Sequence, residues 1–348
     1  MTTVSKIRLQ QMRVHGDYTA SLSPTATVIT GANGSGKTSI LEALYIALQG
    51  SSFRGSDKAI VQQANSWYRV DVWDTAGAVR TVKFDSQRQA GRKQFIINGK
   101  TFYRLTPQHR YPVVLFEPDH LRLLSGSPTR RREFIDRLIS QVDPRYSLAL
   151  RRYERALKQR NALLKRQSVT NDDLFAWDVS LSDYGAYIVT QRQKFIAELD
   201  EQLQAIYHTI ASSRDTVHVR YSGPNHTHMQ QKIIADLHTH TERDKLLGFT
   251  STGPHRHDVL FDFNHAPAIT VASRGEIRSI VLALKFLEVA IIERHGDQKP
   301  LILLDDVFSE LDKSRQKNLI TEFTDHQIII TSVDTLPIKH SQVIRLTD

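Results

Sequence analysis

Apolar and polar positions alternate along the first thirty residues, and that period of two predicts short strands at 6–12, 18–22 and 27–30. The same period returns between 67 and 104, through Val70-Val72 and Val79-Val82, as an antiparallel meander. Within it, 95–97 and 101–103 flank Asn98-Gly99, the dipeptide of a two-residue hairpin. Residues 112–116 (PVVLF) form a continuous apolar run of the buried-strand type. From 119 to 248 the period becomes helical, and Gly248 stands where a helix C-cap is needed. Strands are expected again at 259–263, 269–271, 301–304 and 327–331. There are no repeats and no low-complexity tract. The pattern therefore predicts an α/β body built by both ends of the chain, 1–118 and 249–348. A helical lobe at 119–248 is inserted between them.

One stretch gives the body its chemistry. Gly31-Ala32-Asn33-Gly34-Ser35-Gly36-Lys37-Thr38 fits G-x-x-x-x-G-K-[ST], with Ser39 following. It comes after the strand at 27–30 and opens an apolar helix, which is the context the motif requires. Glycines let the backbone N–H groups from Gly31, Asn33, Gly34, Ser35 and Gly36 onward close around the phosphates of ATP. Lys37 is expected on the β- and γ-phosphate oxygens, and the Thr38 hydroxyl on Mg²⁺.

Leu301-Ile302-Leu303-Leu304-Asp305-Asp306 is a doubly buried strand ending in two acids. Ligands of parallel sheets lie at that strand end. Asp305 is expected to serve Mg²⁺, directly or through water, and Asp306 to orient or deprotonate the attacking water. Lys37, Asp305 and Asp306 are thus the candidate catalytic residues.

A second helix start also invites an anion. Ala272-Ser273-Arg274-Gly275-Glu276 precedes a helix with apolar positions at Ile277, Ile280, Val281, Leu284 and Leu287. Ser273 is a good N-cap, and helix N-termini attract negative charge. A second copy of the chain, turned by a two-fold axis, would present Ser273, Arg274 and Gly275 to the γ-phosphate of the first. ABC-type ATPases work this way, with Leu-Ser-Gly-Gly-Gln at the helix start. The order signature, helix, strand, then Ser309-Glu310-Leu311-Asp312 in the place of a D-loop matches as well. The alternative is a capped helix and nothing more.

Composition narrows the setting. At 348 residues with 40% hydrophobic and 24% charged positions the chain is of ordinary globular type. With no Cys, disulfides and cysteine chemistry are excluded, and a cytoplasmic location is expected. No signal-peptide or membrane-length apolar run is present. The formal charge of +9 favours a polyanionic partner. Residues 145–166 hold much of it. Arg151, Arg155, Lys158, Lys165 and Arg166 share one helical face, opposite Tyr146, Leu150, Tyr153, Leu157 and Leu164. Two readings stand: phosphate contacts that position DNA without reading its sequence, or a solvated face. Arg130-Arg131-Arg132 opens a helix, where three cations are unfavourable without an anion, whether DNA, nucleotide or carboxylate. Arg54 is read either on a phosphate or the dimer seam, or as a plain loop residue. His255 either links nucleotide to DNA or stabilises its turn. The histidines at 226, 228, 238 and 240 read as solvated rather than metal-bound.

The whole resembles the RecF family of bacterial recombination-repair ATPases, short relatives of the SMC and ABC ATPases. GANGSGKTSILEAL, SSFRG, VVLFEPDHLRLLSGSPTRRREFIDRLI, TGPHRHDVLF, ASRGEIRSIVLALKF and LILLDDVFSELD carry the resemblance across nearly the full length. The insert is too short for the coiled coil of SMC-type or RecN-type chains. The resemblance implies an ABC-type P-loop head plus a helical second lobe, with ATP and Mg²⁺ as cofactors. It also implies an ATP-dependent homodimer on gapped DNA and single-strand/double-strand junctions, working with RecR and RecO to help load RecA. The rival function is the ATPase subunit of an ABC-type transporter. Against the wider pattern, Glu276 stands where a neutral residue is usual, and either weakens the phosphate contact or points elsewhere. The transporter switch His is missing, with Thr331, Ser332 and Asp334 in its place. Asp306 replaces the longer Glu. These departures imply slow hydrolysis, suited to a timer. No Q-loop Gln is assigned: Glu117 occupies the expected stretch, and Gln62 and Gln63 are weak alternatives.

Overall fold

A computed structural model describes residues 3–88, 91–166, 168–334, 336, 338 and 340–346. Its contacts form two units, one ending at His120 and resuming at Glu288, the other Leu121–Leu287.

The first unit opens with β1 (Val4–Met12), β2 (His15–Ser21), β3 (Ala26–Thr30), α1 (Lys37–Gln49) and the short α2 (Asp57–Ile60). The meander follows as β4 (Trp67–Asp74), β5 (Val79–Asp85), β6 (Gln94–Ile97) and β7 (Lys100–Phe102), and then β8 (Val113–Phe116). Six strands make an antiparallel sheet in the order β2-β1-β4-β5-β6-β7. Its alternation is the one the sequence predicts. Ile7, Leu9, Tyr68, Val70, Val82 and Phe84 are buried on one face, and Lys6, Arg8 and Gln10 take the other positions of β1. Asn98 and Gly99 both have positive φ, 49° and 76°, which a type I′ turn demands.

The second unit contributes α3 (Pro128–Val142), α4 (Pro144–Leu164), α5 (Asn171–Ala211), β9 (Val217–Ser222), α6 (Met229–Thr239) and α7 (Thr241–Leu247). After it come β10 (Asp258–Phe263), β11 (Ala266–Pro267), α8 (Ala268–Val271) and α9 (Arg274–His295). The chain closes the first unit with β12 (Leu301–Asp305), α10 (Lys313–Glu322), β13 (Ile328–Ser332) and β14 (Ser341–Arg345). These complete a parallel sheet in the order β14-β3-β13-β12-β8. Every residue of β3, β8, β12 and β13 is buried. α1 packs on β1, β4 and β5 on one side and on β8, β12 and β13 on the other. That explains why it is apolar almost all round, with Ile40, Leu41, Ala43, Leu44, Ile46 and Ala47 at 0% exposure.

Three expectations change in the second unit. Residues 217–222 are a strand inside the stretch read as helical, and β9 pairs antiparallel with β10 over six positions from Asp258↔Ser222 to Phe263↔Val217. Residues 269–271 are helical rather than extended. Thr270 Oγ1 donates to Pro267 O (2.7 Å) and Ala272 N to Ala268 O (2.9 Å), closing one turn despite three β-branched side chains. The lobe continues past residue 248 to Leu287, because β9 binds β10 and Arg131 of α3 clamps Asp258 at 2.9 and 2.7 Å. Gly248 does cap α7, with φ 71° and its N–H on Asp244 O. Arg160, one of the cations of the 145–166 stretch, lies inside this lobe at 0% exposure. It meets Asp178 (2.6 Å), Asp244 (2.7 Å) and Thr250 Oγ1 (2.9 Å), so it ties α4 to α5 and α7.

Candidate functional site: a phosphate-binding loop

The loop between β3 and α1 carries its glycines where the backbone needs them. Gly34 and Gly36 lie in the left-handed region, at φ 91° and 94°. A Cβ on Gly36 would collide with His15 Nε2, whose ring approaches Gly36 O at 3.1 Å. Around Gly34 the space is open, as a ligand approaching the backbone requires. Lys37 is buried, and its ammonium donates to Gly31 O (2.7 Å) and Ala32 O (2.8 Å). A lysine has three donors, so one remains for a ligand. The Ser35 hydroxyl oxygen is buried with no hydrogen-bond partner among the described residues. A phosphate oxygen against this loop would satisfy it.

The two acids end β12 beside this loop. The Thr38 hydroxyl donates to Asp305 Oδ1 at 2.8 Å, and the Thr331 hydroxyl from the end of β13 reaches the same oxygen at 2.8 Å. Asp306 N donates to Thr331 Oγ1 at 2.9 Å, so Thr331 is held from both sides. Asp306 itself has φ 50°, a strained setting for a residue with a side chain. Burial, then the neighbouring Asp305 carboxylate, push its carboxyl above the ordinary range, while Lys37 opposes them.

A pocket of about 520 Å³ gathers Asn33, Gly34, Gly36, Lys37, Thr38, Ser39, Asp305, Asp306 and Thr331 with Arg13, Val14 and Arg54. Arg54 thus lines the phosphate pocket. Its loop is fixed by the Ser52 hydroxyl, which accepts from Arg54 N (2.8 Å) and donates to buried Glu42 of α1 (2.5 Å). Arg13 grips the same Glu42 with two bonds of 2.9 Å. Sequence reasoning passed over Arg13, His15 and the link through Thr331. Arg13 and His15 fall in no motif, and in the sequence Thr331 only stands in the place of the switch His; its bonds to Asp305 and Asp306 come from strand pairing.

Hydroxyl and carboxylate oxygens at Thr38 and Asp305 are hard donors that suit Mg²⁺, which takes one or two protein ligands beside substrate phosphates.

The other candidates, Glu117 apart, are placed in the second unit. Ser273 caps α9: its hydroxyl accepts from Glu276 N (3.3 Å), and Glu276 Oε2 accepts from Ser273 N (2.6 Å). This capping box turns the Glu276 carboxylate back onto the helix start. Ser273 and Arg274 are exposed and Gly275 is half-buried. On α4, Arg155 and Lys158 are exposed, Arg151 is half-buried, and exposed Lys165 is the C-cap. Tyr146, Tyr153 and Leu164 are buried on the opposite face. For Arg131 the anion is the carboxylate of Asp258: desolvation raises its pKa, but the Arg131 bond, the Val259 N–H and the charges of Arg131 and Arg132 together outweigh that and lower it. His255 stabilises its turn, Nδ1 on the Tyr153 hydroxyl (2.7 Å) and Nε2 on Thr250 O (3.1 Å). Burial pushes its pKa down to about 4, and that of His257 likewise to about 4. Glu117 follows β8, its N–H on His120 Nδ1 at 3.2 Å. Among the described residues no helix is long and apolar enough to cross a membrane.

A strand–loop–helix phosphate cradle, a paired-acid strand end and an antiparallel sheet over α1 define a P-loop ATPase head of the SMC and ABC kind. Residues 3–347 match the family model "RecF/RecN/SMC N terminal domain". A Streptococcus uberis protein named "DNA replication and repair protein RecF" is 32% identical, covering 96% of this chain and 94% of its own length. The protein of that name from Protochlamydia amoebophila is 30% identical, over 97% of this chain and 96% of its own. Among solved structures, one described as "recombination mediator protein RecF-ATPrS in RecFOR pathway" superimposes with a TM-score of 0.91. It shares 26% identity and covers 99% of this chain and 96% of its own. The chain belongs to the RecF family. An Smc head bound to the C-winged helix domain of ScpA shares the fold alone, at a TM-score of 0.53 and 17% identity over 95% of this chain and 89% of its own.

Proposed function

We propose that this chain is an ATP-dependent, DNA-binding switch of replication and recombinational repair, acting as a dimer. The observation that carries the reading is the bonded chain Thr38–Asp305–Thr331, which ties the phosphate loop to the ends of two central strands. The RecF relatives named for DNA replication and repair, and the neighbour solved as a mediator in the RecFOR pathway, support the setting. In this reading the chain acts with RecO and RecR at gaps and single-strand/double-strand junctions to support RecA loading.

Each residue has a part. The loop N–H groups from Gly31 to Ser39 and the Lys37 ammonium hold the phosphates of ATP. Thr38 and Asp305 would hold Mg²⁺, which supplies charge neutralisation across the β- and γ-phosphates. Asp306, its carboxyl held above the usual range, accepts a proton from the water that attacks the γ-phosphorus. Arg54 adds a cation at the pocket wall. Ser273, Arg274 and Gly275 of a second copy complete the γ-phosphate contact, so ATP stands in the seam and hydrolysis opens it. Arg151, Arg155, Lys158 and Lys165 contact DNA phosphates. Asp306 is one carbon shorter than Glu, which suits slow turnover stimulated by DNA.

The test is phosphate release with and without gapped DNA, on wild type and Lys37→Met. Release by wild type that the substitution abolishes supports the reading. Equal release from both proteins, or no release from either, overturns the ATPase part. DNA retention that does not weaken with salt overturns the DNA part.

A further inference from the structure

The outward face of the antiparallel sheet carries a second groove, of about 490 Å³, that shares no residue with the phosphate pocket. Register places Gln10, Arg69, Lys83 and Gln94 in one row across β1, β4, β5 and β6. Two cations therefore face each other on neighbouring strands, an arrangement that is unfavourable by itself. Asp71 partly offsets Arg69, at 2.8 Å. No ion pair to Lys83 exists among the described residues. Arg88 and Arg92 add positive charge to the wall, and Asp85 is the one acid in the lining. Trp67 lies two residues from Arg69 on the same strand, hence on the same face, and keeps 37% of its surface exposed.

We propose that this groove binds one unpaired nucleotide of a single-stranded nucleic acid, with its base on the Trp67 indole and its phosphates on Lys83 and Arg69. Charge complementarity selects a polyanion: four cations line the groove, and with Arg69 on Asp71 and Arg88 on Asp85 (3.6 Å), Lys83 and Arg92 keep no ion pair among the described residues. The indole selects a base, because a half-exposed aromatic beside cations is the arrangement of single-strand stacking sites. A duplex keeps its bases stacked inside and offers Trp67 nothing to stack on. The Gln10 amide nitrogen already donates to Asp17 (3.0 Å), and its carbonyl oxygen can accept from a base edge. The inference rests on the DNA-binding reading and gives the single-stranded arm of a junction its own place.

The test uses the full chain with a short oligothymidine, a blunt duplex and free thymidine monophosphate. Tryptophan fluorescence and anisotropy are the readouts. Wild type should be quenched by oligothymidine. Trp67→Ala should lose most of the quench and bind oligothymidine about ten- to a hundredfold more weakly, the range that stacking of one base implies. Trp67→Phe should keep most of the affinity, and Lys83→Glu should lose it. Duplex affinity should stay within twofold in all three, and retained ATP binding certifies folding. Equal oligothymidine affinity of Trp67→Ala and wild type overturns the groove while leaving DNA binding intact. If wild type binds no DNA of either form, the wider reading fails too. Quenching by thymidine monophosphate at the same concentration as the oligomer would assign the groove to free nucleotides and overturn the strand.

Discussion

The hydroxyl of Thr38 donates to Asp305 Oδ1 across 2.8 Å, joining residues 267 positions apart in the chain. The phosphate loop is thus registered directly against the strand end that carries the two acids. Thr331 then holds both, through Asp305 Oδ1 and the N–H of Asp306. The site is thus assembled from three distant segments of the chain.

Asp306 stands at the end of that chain, and the proposed function makes it the proton acceptor. Asp306→Asn should lower phosphate release by about 10²–10⁴-fold, the usual contribution of a general base. ATP affinity should hardly change, because Lys37 and the loop are untouched. Filter binding of ATP beside a phosphate-release assay checks both. An ATP-bound dimer that outlives the wild-type dimer is the expected accompaniment.

Ser273 caps α9 in a reciprocal box with Glu276. Ser273→Ala removes half the box and should cost about 1 kcal/mol of stability. Ser273→Arg should do more: sedimentation velocity with ATP should give monomer where wild type gives dimer, with ATP still bound. A monomeric wild type under ATP and gapped DNA would leave Ser273 as a cap only.

On α4 the exposed cations are proposed to contact DNA phosphates. Replacing Arg155 and Lys158 by alanine should weaken duplex binding without regard to sequence. The slope of log K against log salt should become shallower by about 0.9 for each phosphate that the protein no longer neutralises. Anisotropy titrations over a salt series measure it.

His255 and His257 titrate near 4 in the fold, below the 6.5 of a free imidazole. Between those values the unfolded chain binds more protons than the folded one. Stability therefore rises with pH across the window and falls as pH drops from 6.5 toward 4. A shift of this size is worth roughly 3 kcal/mol for one group. Melting temperatures from pH 7 downward should fall, and His255→Gln should flatten the profile.

Arg160 separates a buried cation from a surface one. Arg160→Ala strands the Asp178 and Asp244 carboxylates and should cost about 3–5 kcal/mol. Arg160→Met with Asp178→Asn and Asp244→Asn should recover most of that loss. DNA affinity, measured where the protein remains folded, should stay unchanged.

What the sequence made legible was whatever local chemistry dictates. Asn98-Gly99 announced its hairpin because both positions need positive φ. The phosphate loop and the 301–305 strand were legible because glycine spacing and an unbroken apolar run have few other uses. The misses have physical causes too. Val217 and Val219 are buried and His218 and Arg220 exposed, a true alternation, but it is short and stands between long helices. Ile269 and Val271 look like strand residues, yet both are about half exposed, and one closed turn overrides their preference. β14 lies at a sheet edge with little buried surface, so it leaves no apolar run to read. Arg160 looked like its exposed neighbours, because the two aspartates that bury it lie on other helices.

The order β14-β3-β13-β12-β8 has a consequence for the chain as it leaves the ribosome. β3 and β8 are made early but never touch, since β13 and β12 separate them. Translation from Phe116 to Ser332 takes roughly 10–40 s at ordinary rates. Until Leu301–Asp305 is made, Thr38 has no Asp305 and β8 lacks its neighbour β12, and until Ile328–Ser332 is made, β3 lacks its neighbour β13. The nucleotide site is therefore completed late, when β12 and β13 enter between β3 and β8.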